Sequence, residues 1–183
     1  MKIEFGAGEN PTLGFISSDI RAAKGVRYVC PCWEAHEEIK NNSVEVIKSR
    51  HMFEHLTFKQ GEMTLSSWYK ILKSGGKVHL CLPDLHYHVR EYLKYFENRK
   101  ISYNEKGDVE TPSFIHAIAG FYGWQKEHTQ NSKIFTANEN NWCLHKSGYD
   151  EISLRDLCEQ HGYINFKRLK SRASDLEVVF FKP

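Results

Sequence analysis

The chain has 183 residues, with 25 Lys and Arg against 23 Asp and Glu, and its net charge of +2 is too small to point to nucleic acid. A hydrophobic share of 40% and a charged share of 26% are those of an ordinary folded domain with one core. No apolar run approaches the roughly 20 residues that cross a bilayer, and no leader-like stretch precedes the first strand, so the expectation is a cytoplasmic protein outside the membrane. The five cysteines, Cys30, Cys32, Cys81, Cys143 and Cys158, are odd in number and several lie in apolar runs, which reads as reduced thiols.

Lys2–Phe5 reads as a first strand that runs into Gly6-Ala7-Gly8-Glu9-Asn10. Two glycines spaced by one at the carboxyl end of a first strand form a bare turn that a ligand can approach closely. The acidic Glu4 beside it favours a cationic or hydroxyl-bearing ligand over a phosphate. Residues 15–20, 26–29 and 44–49 read as three more strands, the last with clean apolar–polar alternation. Residues 60–73 carry Met63, Leu65, Trp68, Tyr69 and Leu72 at helical spacing, and Lys73-Ser74-Gly75-Gly76 reads as that helix's end. Residues 77–82 form a fifth strand stopped by Pro83, and residues 84–98 a second helix. Residues 100–145 lose this periodicity and are rich in aromatics, Asn, Gly and Ser, with a short helix near 114–122. Asp150 or Ser153 caps a helix that ends before Gly162, and residues 164–169 and 176–181 are the last two strands. The basic residues Lys167, Arg168, Lys170 and Arg172 read as the solvated face of an edge strand. The order of elements is that of an α/β domain.

Gly6-Ala7-Gly8, Asn10-Pro11, Gly14-Phe15, Asp19, Glu54-His55-Leu56, residues 68–76 and Leu82-Pro83-Asp84 occur in an order that resembles the class I S-adenosylmethionine-dependent methyltransferases. The likeness is closest to a subgroup of small, type 11-like members, and it is firm over residues 2–84 and loose near His145 and Gly148. It implies a Rossmann-like sheet of seven mostly parallel strands with the last antiparallel, helices on both faces, and a single domain over 1–183 whose aromatic insert, about 100–145, covers the acceptor. It implies a cofactor site made of Glu4, Phe5, Gly6, Ala7, Gly8, Asn10, Asp19, Ile20, Trp33, Arg50 and His51. Glu4 suits the ammonium of the methionine part, and Asp19 the ribose hydroxyls through a bidentate carboxylate. The path from Gly8 to Asp19 is too short for the helix of a dinucleotide site. The usual adenine-binding Asp is missing after the third strand, where Trp33 offers a stacking face and Glu34 an acceptor.

The resemblance further implies methyl transfer to a small-molecule or carbohydrate acceptor, at oxygen or nitrogen, with a catalytically inactive binding protein as the alternative. His145 leads the candidate bases, which also include His51, His55, Asp84 and His86. His51-x-x-Glu54-His55 places three potential ligands on one face of a helical turn, if one starts there. It looks like a metal motif of some methyltransferases, with His51 in place of an acidic residue. Glu-His-Leu after the fourth strand also serves relatives as a turn support, so no divalent metal is expected. The sequence is silent on oligomeric state.

Overall fold

A computed structural model describes residues 1–98, 112–123 and 144–183. Three short strands open the chain: β1 (Lys2–Phe5), β2 (Ile16–Asp19) and β3 (Val26–Val29). A 3-10 turn at Cys32–Glu34 and the short α1 (Ala35–Glu38) lead to β4 (Val44–Arg50), an element pair absent from the sequence expectation. Then follow α2 (Phe58–Ile71), β5 (Leu72–Pro83), α3 (Leu85–Asn98), α4 (Pro112–Tyr122), α5 (Glu151–Gln160), β6 (Ile164–Arg168) and β7 (Asp175–Phe181).

The strands form one sheet in the order β3-β2-β1-β4-β5-β7-β6. Pairings from β3 through β5 are parallel, while β7 runs antiparallel between β5 and β6. The chain steps outward from β1 to β2 and β3, then crosses back to β4 on the other side of β1. The strand order reverses between β1 and β4, and a crevice opens there beyond the strands' carboxyl ends. That crevice is where a ligand of such a sheet is held.

The two faces of the sheet are unlike. Ile3, Phe5, Ile47, Val78, Leu80, Leu82, Leu176, Val178 and Phe180 point to one side and are buried with Leu65, Trp68 and Ile71 of α2. Phe5 stacks against Trp68 with ring centroids 5.2 Å apart. On the other side, paired positions across neighbouring strands carry Glu4, Lys48 and His79. His79 bonds Glu177 at 2.7 Å on this side. This is the alternation of a sheet with one core face and one polar face. The β1–β2 and β2–β3 connections, residues 6–15 and 20–25, hold no helix.

Helix starts follow their caps. Thr57 accepts from the Gln60 N–H and Gln60 reaches back to the Thr57 N–H, so α2 begins at Phe58. Asp150 and Ser153 form the same reciprocal pair for α5. α2 ends earlier than the sequence suggests: Leu72 is already extended and pairs with Val44, so Gly75 sits inside β5, where the register shifts, rather than as the helix cap. Most of the aromatic insert, including Trp124, His128 and Trp142, lies outside the described residues.

Candidate active site

The β1 rim of the crevice is the turn from Gly6 to Gly8. Gly6 has φ +72°, and a Cβ there would stand 2.5 Å from Met52 Cγ, so this position needs glycine for both conformation and space. Its N–H donates to the Ser18 carbonyl at 2.8 Å, which ties the turn to β2. Gly8 has φ +55° and open space where a Cβ would be. Its N–H donates to Asp19 Oδ2 at 3.1 Å, and its carbonyl accepts from Ser17 Oγ at 2.7 Å. Asp19, buried at the end of β2, also accepts from the Arg21 backbone N–H and side-chain Nε at 3.0 and 3.2 Å.

The other candidates of this rim fall into two groups. Glu4 is buried; its Oε2 accepts from the Thr12 N–H at 2.6 Å and its Oε1 lies 3.7 Å from Lys48 Nζ. The cationic partner expected for Glu4 is thus present within the chain itself. Phe5 gives its side chain to the core, so only its backbone faces the crevice side. Ala7 and Asn10 lie on the turn, with Asn10 exposed, and Ile20 follows β2 half-buried. Trp33 is partly buried against the core, and its Nε1 donates to Glu34 Oε1 at 3.0 Å.

The opposite rim follows β4. Arg50 is exposed, and His51 has φ +48°, a conformation that costs a non-glycine residue on the order of 1–2 kcal/mol. The turn is held by the His51 N–H donating to the Cys81 carbonyl at 2.8 Å. The His51 ring lies between the Cys81 thiol and the Glu54 carboxylate, with Nδ1 3.3 Å from Oε1. Hydrogen bonds to Cys81 and then Glu54 push its pKa up to about 10. Near neutral pH this imidazole is a cation, which has no lone pair to take a proton. Its two neighbours thus hold His51 toward its protonated form, which counts against the base expected from sequence.

Residues 51–55 are not on an α-helical face. A 3-10 turn covers Phe53–His55, and the helix starts later. The Glu54 carbonyl accepts the N–H groups of Lys146 and Ser147 at 2.8 and 3.2 Å, strapping the segment before α5 onto this turn. His145 is thereby brought beside Glu54 and His55. Its Nδ1 lies 2.9 Å from the Gly120 carbonyl and its ring stands edge-on to His55 with centroids 5.1 Å apart. A carbonyl only accepts, so Nδ1 carries the proton and Nε2 presents a lone pair. Burial pulls the His145 pKa below its ordinary value, which keeps the ring neutral.

Asp84 takes another post. Its Oδ1 accepts from the His86 N–H at 3.0 Å at the start of α3, and its Oδ2 accepts from Arg168 at 2.7 Å. Both oxygens of this buried group are engaged in anchoring α3 to β6, which corrects its candidacy as a base. Sequence reasoning did not foresee that Met52 abuts Gly6, that Cys81 holds His51, or that Gly120 orients His145. Each is a contact between distant segments with no local signature.

The strand order, the antiparallel β7 and the glycine turn at the reversal define the fold of the class I S-adenosylmethionine-dependent methyltransferases. Solved structures bear this out. A methyltransferase from Thermotoga maritima, described as a possible histamine N-methyltransferase, aligns over 100% of this chain and 81% of its own at 13% identity, with a TM-score of 0.58. One from Archaeoglobus fulgidus covers 99% of this chain and 85% of its own at 12% identity, with a TM-score of 0.56. One from Methanosarcina mazei covers 99% and 91% at 10% identity, with a TM-score of 0.52. No protein-family model and no curated protein matches the sequence. Among the described residues no helix is long and apolar enough to cross a membrane.

Proposed function

We propose that this chain is a single-domain S-adenosylmethionine-dependent methyltransferase acting on a small polar acceptor, a carbohydrate or related small molecule, at oxygen or nitrogen. The observation that supports the reading is a bare glycine turn after β1 in a sheet with the methyltransferase strand order, joined by a histidine beside the turn that follows β4, whose Nδ1 is fixed by a backbone carbonyl. The residues fit the cofactor: open space over Gly8 leaves room at the turn, and the buried Asp19 carboxylate has two oxygens with about four acceptor sites, three of which are used within the chain. Gly6 to Gly8 would hold the methionine end, Asp19 the ribose hydroxyls and Trp33 the purine. Bound there, the cofactor supplies a methyl group on a sulfonium, a centre already activated for displacement.

The chain's own work is alignment and proton handling. Holding the acceptor beside the methyl group converts a bimolecular displacement into an oriented one. His145 Nε2 takes the proton of an acceptor hydroxyl as the new bond forms, while the Gly120 carbonyl fixes the ring. His51, held as a cation by Cys81 and Glu54, sets the turn that positions Glu54 and His55.

Calorimetric titration with S-adenosylmethionine and its demethylated product tests the reading. Binding of at least one below millimolar concentration is expected, and Asp19→Ala weakens it by at least roughly tenfold, the scale of a lost charged hydrogen bond. Absence of sub-millimolar binding by both sinks it. A second reading, a methyltransferase-like binding protein without activity, is favoured by one feature: Glu4 and Asp19 already have partners inside the chain. Methylated product in a panel of sugars and small amines separates the two.

A further inference from the structure

One ligand-capable atom from each of Glu54, His55 and His145 lies within 4.8 Å of the others. Glu54 is 2% exposed, and its Oε2 is buried with no hydrogen-bond partner among the described residues. Oε1 is engaged by His51, so Oε2 is the free oxygen of the group. Buried carboxylate oxygens are normally satisfied, and an orphan of this kind asks for a donor or a cation.

The two histidines are prepared in the same way. His55 Nδ1 lies 3.1 Å from the Leu144 carbonyl, as His145 Nδ1 lies 2.9 Å from that of Gly120. Both Nδ1 atoms therefore carry protons, and both Nε2 atoms keep their lone pairs. Backbone carbonyls that fix the tautomer and aim of an imidazole are the outer support of metal-binding histidines. The second cluster, His51 with Cys81 and Asp175, lacks this combination, since it holds no buried oxygen or nitrogen without a partner among the described residues and its His51 is exposed.

The geometry points to a binding site for one first-row divalent cation of the zinc class, held by Glu54 Oε2 and by Nε2 of His55 and His145. Two imidazoles and one carboxylate suit zinc, iron or manganese, whereas magnesium and calcium take oxygen donors. Bonds of about 2.0–2.1 Å around a tetrahedral ion set ligand atoms about 3.4 Å apart, so closure takes side-chain movements of about an ångström. Three protein ligands leave one position for water or for an oxygen of the acceptor. This last role rests on the methyltransferase reading, and in it His145 is a ligand while the ion lowers the acceptor's pKa in place of a base.

The test uses the untagged full chain, freed of metal with a chelator and titrated with Co(II) and Zn(II). Saturable 1:1 binding is expected, with the intense visible absorption of tetrahedral Co(II). Glu54→Gln, His55→Ala and His145→Ala each weaken it by at least roughly tenfold, while His79→Ala leaves it unchanged. Thermal denaturation of each variant shows whether it is folded, and the wild-type titration stands whatever the variants do. Wild-type protein without saturable binding overturns the inference, as do folded His55→Ala and His145→Ala variants that bind like wild type. Parallel titration with S-adenosylmethionine and its demethylated product keeps the two readings apart. Cofactor binding without metal binding ends the metal site alone. Metal binding without cofactor binding supports the metal site and ends the methyltransferase reading.

Discussion

The two rims of the crevice differ in how their polar groups are satisfied. On the β1 rim the chain closes on itself: Asp19 holds the Gly8 N–H and Arg21, and Glu4 holds the Thr12 N–H beside Lys48. On the β4 rim the backbone is equally well tied, yet Glu54 Oε2 has no hydrogen-bond partner among the described residues and two imidazoles turn their lone pairs away from their anchors. The first rim is shaped by conformation, with its polar groups engaged inside the chain. The second is shaped by charge.

The sharpest break of the first rim is Gly6→Val. The substitution combines a disfavoured φ with a clash against Met52, and mechanisms of that kind cost on the order of 2–4 kcal/mol together. Urea unfolding reads the loss. Gly8→Ala is the control, because it has the same unfavourable φ but open space, and it costs about 1 kcal/mol. Equal losses at the two positions would show that the Met52 contact does not shape the turn.

Asp19→Ala comes next. It removes the acceptor of the Gly8 N–H and frees Arg21, for a loss of about 1–3 kcal/mol. The effect belongs to the β1 rim, so the same variant is expected to leave Co(II) binding at the β4 rim unchanged. A coupled loss at both rims would dissolve the distinction between them.

The same division explains what was legible in the sequence. The glycine turn and the strand after it in the sheet were readable because their signals are local: Gly6, Gly8 and Asp19 lie in one stretch, and alternation at Val44–Ser49 marks a strand by itself. The mostly parallel sheet with an antiparallel last strand followed from the family resemblance, because a sheet's order has no local signal. The β4 rim was legible in part. His51 does meet Glu54, with Nδ1 3.3 Å from Oε1, although Thr57 starts the helix only at Phe58 and residues 53–55 form a 3-10 turn. Its other neighbour, Cys81 on β5, has no local signal. His145 is brought beside Glu54 by the Lys146 and Ser147 N–H groups, which bond the Glu54 carbonyl. No periodicity records such a strap. The open polar face of the sheet was half legible: the short Gly8-to-Asp19 path already left no room for a helix there.

His51 offers a pH test of the second rim in the metal-free protein. Its folded pKa is raised from 6.5 to about 10, so it binds its proton more tightly folded than unfolded. The stability it contributes is fully present below 6.5 and is lost as pH rises through about 10. The difference in melting temperature between wild type and His51→Gln is therefore expected to shrink across that window. A difference that stays constant would mean that His51 is not held as a cation by Cys81 and Glu54.

The smallest expected effect is the opposite slope at His145, again without metal. Burial lowers its pKa from 6.5, so the unfolded chain takes up a proton before the folded one does. The stability associated with its neutral state is full above 6.5 and is lost as pH falls below that value toward the lowered folded pKa. His145→Gln, which retains a donor for the Gly120 carbonyl, is expected to reduce this acid-side loss. The two variants thus pull in different pH ranges although both rings stand beside Glu54. If His145→Gln instead flattened the alkaline slope, the neutral base and the fixed cation would have exchanged places, and His51 would be the group to test as the proton acceptor.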